Sequence, residues 1–120
     1  MPGRPELSHS ADAVRARGYV FVAGILPVDA SGSLVGEDDV VGQARFVFGE
    51  LGRILGAASC SPDDVLRVSV FLTDVDDRPR INPVRRELFG AARPASTLVE
   101  VSGLAVPGAK IEVDAIAAVP

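Results

Sequence analysis

The groups in this chain with the most chemical potential are one thiol, one imidazole, a knot of aspartates and a few isolated polar side chains. Cys60 is the single cysteine, so the chain can build neither an internal disulfide nor a thiolate metal cluster. Its Ser-Cys-Ser setting reads as an incidental thiol. His9, the single histidine, lies in the N-terminal segment and reads as solvent-exposed. Asp74, Asp76 and Asp77 resemble a metal cluster on paper, but they sit in a turn rich in Asp and Pro. There, carboxylates cap backbone N–H groups. Ser96 has no base assigned beside it and reads as a pocket-lining or hydrogen-bonding residue, not a nucleophile. Asn82 stands just ahead of a helical run, where N-capping and ligand contact are both open to it. Glu112, between Ile111 and Val113, reads on its own as a strand carboxylate in a polar pair.

The elements that must position these groups follow from periodicity. Residues 13–15 and 19–24 form a hairpin with Arg17-Gly18 as its turn. Residues 25–36, with Pro27, Asp29, Ser31, Gly32 and Gly36, form a loop. Val41, Ala44, Phe48, Leu51 and Leu55 recur at steps of three and four and stack on one helix face. Asp38 and Asp39 cap that helix, and Gly56 ends it. Gly42, Gly49 and Gly52 inside it point to close packing on a neighbour. In residues 65–73, Leu66, Val68, Val70 and Leu72 share one strand face, with Arg67, Ser69 and Phe71 on the other. A turn at 74–79 precedes a second helix over 81–89, with Pro83 in its first turn and Gly90 closing it. Two strands finish the chain, around Ser96–Val101 and Ile111–Ala117. The order is ββαβαββ, an α+β mixed sheet whose right-handed crossovers place both helices on one face.

Length and composition set limits. One hundred and twenty residues make one domain, here residues 1–120. Twelve basic against 16 acidic side chains give a net charge of −4, and there is one Tyr and no Trp. Nucleic-acid binders rely on a basic field and stacking aromatics, so nucleic acid is not an expected partner. No apolar run approaches the roughly 20 residues that span a bilayer, and the N-terminus has no apolar signal region. The expectation is a cytoplasmic globular domain with no membrane partner. Hydrophobic residues are 48% of the chain. Two helices cover one sheet face, leaving Phe21, Ile25, Phe71, Leu98 and Ile116 on the other. So large an apolar patch implies an oligomer with any ligand cleft at the subunit boundary.

Particular segments resemble a known family. Tyr19–Pro27 (YVFVAGILP) is similar to the "FVSGQIP" segment of the RidA/YjgF/YER057c superfamily. Similar too are Val68–Asp74, Asn82 before a helix ending in Phe89, Pro94–Val101 and Lys110–Ala117. The resemblance runs from about Ala13 to Val119 in the family's order. It implies a chorismate-mutase-like subunit assembled as a homotrimer with three inter-subunit clefts. No cofactor or metal is expected. Members that deaminate imines hold the substrate carboxylate with an Arg in a "PARS" segment. They convert enamines and imines such as 2-aminoacrylate to a 2-keto acid and ammonia. Here the segment reads Pro94-Ala95-Ser96-Thr97, so Ser96 stands where that Arg would be. The family's N-terminal Tyr aligns near Ser10, "SGQ" has become Ala23-Gly24-Ile25, and Leu98 replaces a frequent Cys. Gly24, Asn82 and Glu112 are retained.

Imine hydrolysis needs an electrophilic carbon, an oriented water and a proton-transfer group. Glu112 fits the last two roles if it sits in a partly apolar cleft beside Leu98 and Ile25, where burial raises its pKa. Backbone N–H groups around Gly24 and Ile25 could hold a developing oxyanion. Catalytic Glu112 and substrate-binding Gly24, Ile25, Asn82, Ser96, Leu98 and Ser10 are the resulting expectation. Arg93 is a candidate substitute for the lost cation, although an extended strand turns it away from Pro94. With Ser96 for Arg and Ile25 for Gln, the substrate is expected to be less anionic or more apolar than 2-aminoacrylate. The resulting reading is a hydrolase, deaminase or lyase acting on an imine, enamine or related carbonyl compound; the other is a non-catalytic trimer that binds a small ligand or a protein. Ribonuclease activity, sometimes attached to relatives, fits poorly with the acidic charge.

Overall fold

A computed structural model describes residues 12–120. Strands β1 (Ala13–Ala16) and β2 (Tyr19–Ile25) form the expected hairpin. Arg17 and Gly18 both take positive φ, 52° and 81°, the conformation that matches a two-residue turn to strand twist. Helix α1 spans Val40–Ala57, β3 spans Val65–Leu72, α2 spans Arg78–Phe89, β4 spans Ala95–Glu100 and β5 spans Ile111–Ala118. The sheet order is β1-β2-β5-β3-β4. β3 and β4 run parallel and the other neighbours antiparallel, so the sheet is mixed.

Both helices pack on one sheet face. Val47, Phe48, Leu51, Ile54 and Leu55 of α1 and Ile81, Val84 and Phe89 of α2 share a core with Val68, Val70, Val113 and Ala115. Asp39 caps α1 by accepting from the Gly42 N–H at 3.0 Å. A Cβ at Gly42 would meet that carboxylate, so this glycine serves the cap. A Cβ at Gly52 would stand 3.3 Å from Leu88 Cδ1 of α2, in keeping with close packing, whereas Gly49 has open space beside it. α2 begins three residues earlier than the sequence implies. Pro79 stands in its first two positions, where the missing N–H costs nothing. Asn82 is therefore inside the helix and caps nothing; Asp77 is the N-cap residue. Gly90, at φ 57°, ends the helix.

Two bulges overturn the expected strand faces. β2 spends three steps between Val22 and Ile25 while β5 spends two between Ala115 and Val113. The extra residue leaves Ala23 and Gly24 exposed and turns Ile25 into the core at 2% exposure. Ile25 is thus absent from the open face. β3 slips likewise between Val65 and Arg67, so Val65 points inward and Leu66 stands 48% exposed. Leu98 also changes sides. It pairs with core-facing Val70 in the parallel β3–β4 ladder and packs against the core from the helix side.

Candidate functional site

The open sheet face holds Glu112. Its ladder partner is Phe71, whose own partner across β4 is Val99, so apolar side chains flank the carboxylate on one side. On the other side lies Gly24. A Cβ at Gly24 would overlap the Glu112 carboxyl group, with Cδ at only 2.8 Å. The bulge and the lack of a side chain at Gly24 together form the seat on which the carboxylate rests. Burial pushes the Glu112 pKa above the ordinary carboxylate value, and Asp114, two residues along the same face, adds to the rise. Among the described residues no Lys or Arg pairs with it. An acid so placed carries a proton at higher pH than a solvated one, which suits general acid/base work.

Ser96 and Leu98 occupy the opposite side of the sheet. Ser96 pairs with Val68 and Leu98 with Val70, both core-facing, so these two look toward α2. Within one chain the sheet separates them from Glu112. Gly24 and Glu112 are brought together; Ser96 and Leu98 form a second group, and Ile25 is buried behind the sheet. Asn82 lies partly buried on α2. Ser10 and His9 fall outside the described residues.

Sequence reasoning missed a residue at the second group. Arg85 of α2 reaches β4, and its Nη2 donates to the Ser96 hydroxyl at 2.6 Å. A cleft of about 500 Å3 is lined there by Arg85, Arg78, Ser96, Leu98 and Val75. Burial, with Arg78 close by, lowers the Arg85 pKa from its usual value. An adjoining cleft of about 260 Å3 carries Arg85 again, together with Arg86, Arg93 and Phe89. Arg93 thus lies in the neighbouring cleft. The signal was available: Arg78 and Arg85 are seven residues apart, two helical turns, and so share a face. An arginine-bearing helix read alone suggests solvated charge.

Remaining candidates play structural parts. Asp74 accepts from the Asp76 N–H at 2.9 Å, and Asp77 pairs with Arg80 at 3.4 Å. Among the described residues no group of acids, His and Cys is arranged to hold a metal. Cys60 is buried, and burial raises its thiol pKa. No helix among the described residues is long and apolar enough to cross a membrane.

Comparison with known proteins places these features among relatives. The family model described as endoribonuclease L-PSP matches residues 3–119. A RutC family protein of Pyrococcus horikoshii is 37% identical over 107 residues, 89% of this chain and 84% of the relative. The 3-aminoacrylate deaminase RutC of Acinetobacter baylyi is 39% identical over 113 residues, 94% of this chain and 89% of the relative. The crystal structure of RidA from an Antarctic Psychrobacter superposes with a TM-score of 0.88 at 27% identity, covering 97% of this chain and 93% of that one.

Proposed function

The chain belongs to the RidA/YjgF/YER057c superfamily, and from that premise we propose that it hydrolyses an imine or enamine to the carbonyl compound and ammonia. The observation that carries this reading is Glu112, partly buried, seated on Gly24 beside Phe71, with its pKa raised. The similarity to a 3-aminoacrylate deaminase supports it. In its protonated form Glu112 delivers a proton to the enamine carbon or imine nitrogen. As the carboxylate it then takes a proton from the attacking water, and the carbinolamine collapses with loss of ammonia. Backbone N–H groups at the Gly24 bulge stabilise the developing oxygen. The working unit is a homotrimer. Glu112 on one copy's open face and Ser96, Leu98 and Asn82 from the helix side of the next line a shared cleft.

The test uses imines generated in situ by oxidation of amino acids, with 2-oxo acid formation followed against a protein-free control. The purified protein is expected to accelerate hydrolysis, and Glu112→Gln to lose on the order of 10²-fold or more of that acceleration. 2-Aminoacrylate is expected to turn over poorly beside imines with larger apolar side chains. Rates equal to the control for every imine would leave a binding protein in place of a hydrolase.

A further inference from the structure

Position 96 carries a hydroxyl, yet the space around it is strongly cationic. Arg85 brings its guanidinium to the Ser96 Oγ at 2.6 Å, and Arg78 lines the same cleft. Arg80, the other arginine on the first two turns, is already paired with Asp77. Among the described residues neither Arg78 nor Arg85 has a carboxylate partner. Glu100 projects on the same side of β4, but its carboxylate accepts the Val75 N–H at 2.9 Å. A guanidinium has five N–H donors in a fixed fork, and the single bond to Ser96 leaves most of them available to a planar anion. Holding an arginine partly buried without a counter-charge is unfavourable. An anionic ligand removes that penalty.

We propose that Arg85, steadied by Ser96 and backed by Arg78, binds the carboxylate of an organic acid whose apolar side chain rests on Leu98 and Val75. This deepens the hydrolase reading and rests on it for the identity of the acid: a branched or aromatic 2-imino acid as substrate and the matching 2-oxo acid as product. The cation comes from α2 and not from β4. The carboxylate is therefore held farther along the helix side, and the cleft of about 500 Å3 leaves room for a bulky substituent. Ser96 is a positioning residue, because it acts through the guanidinium.

The test separates binding from turnover. Affinity for 4-methyl-2-oxopentanoate is measured by titration calorimetry on the wild type and on Arg85→Gln, Arg85→Lys, Glu112→Gln and the Glu112→Gln/Arg85→Gln double variant, each checked by thermal melting. The methyl ester and inorganic phosphate serve as comparison probes. Arg85→Gln is expected to weaken the acid roughly tenfold or more, Arg85→Lys to retain part of the affinity, and the Glu112→Gln/Arg85→Gln double variant to bind more weakly than Glu112→Gln by a similar factor. The ester is expected to bind poorly, and phosphate more weakly than the acid. Equal affinity in wild type and Arg85→Gln, or phosphate binding more tightly than the acid, would overturn the assignment. Arg85-dependent binding without imine turnover would instead count against the hydrolase reading and leave the anion site standing.

Discussion

Glu112 is tuned by its neighbours, and the direction of the tuning fixes how stability should depend on pH. Its folded pKa lies above the usual value because burial, and then Asp114, disfavour the ionised form. The favourable, protonated contribution is complete only below the unfolded pKa, about 4.3, and is lost as pH rises through the folded value. Glu112→Gln removes a charge that the fold disfavours. The variant is expected to melt above the wild type at pH 7 and level with it near pH 4, by calorimetry at both. An equal difference at the two values would mean the carboxylate is not strained by its setting. Gly24 acts at the same scale. Gly24→Ala places a methyl where the Glu112 carboxyl lies. Because that carboxyl is the free end of a flexible side chain, the fold is expected to survive while the acid swings away. Turnover should then fall on the order of 10²-fold, as for other small misplacements of a reacting group, with an unchanged circular dichroism spectrum.

At the scale of elements, α1 has two positions where a single substitution tests its contribution to the fold. Gln43, fully buried, donates through Nε2 to the Gly36 and Gly108 carbonyls, both at 3.0 Å, and accepts the Lys110 N–H at 2.7 Å. It ties the loop after β2 and the start of β5 to the helix. Gln43→Leu keeps the volume but strands these backbone groups, an expected loss of about 3 kcal/mol in denaturant unfolding. Gly49 is exposed with nothing within reach of a Cβ, so Gly49→Ala is expected to stabilise by about 0.5–1 kcal/mol. The helix faces, the hairpin turn and the element order were legible in the sequence because apolar spacing and turn residues act locally. The bulges were not. In β3 the alternation through Leu66 and Val68 looks continuous, and only the pairing with β5 reveals the slip that turns Leu66 outward. β4 carries one sizeable apolar residue toward each face, Leu98 and Val99, so its orientation waited on the parallel register with β3. That register separated Ser96 from Glu112 and brought Arg85 to it.

At the scale of the whole molecule, the open sheet face has more apolar surface than water tolerates well. Val14, Phe21 and Ile116 lie in register across β1, β2 and β5. Val14 and Phe21 are 57% and 45% exposed, and Tyr19, at 44%, sets its ring at a tilt to that of Phe21 with the centroids 6.5 Å apart. Phe71 and Val99 continue the surface toward β4. Contiguous apolar patches of this kind usually mark contact surfaces. The same sheet keeps Glu112 and the Arg85–Ser96 pair on opposite sides, so a substrate that needs both can meet them only where two copies adjoin. Assembly and turnover should therefore fail together. Sedimentation equilibrium at micromolar concentration is expected to return three times the chain mass for the wild type and a single chain for Phe21→Glu. The variant should keep its secondary structure, because residue 21 faces away from the core, yet lose imine hydrolysis. Mixing it with an excess of Glu112→Gln subunits separates the two roles of the interface: any restored activity must come from mixed trimers in which the intact Glu112 is supplied by the Phe21→Glu chain. A Phe21→Glu monomer with full turnover would place the chemistry on one chain and leave the exposed face to some other contact.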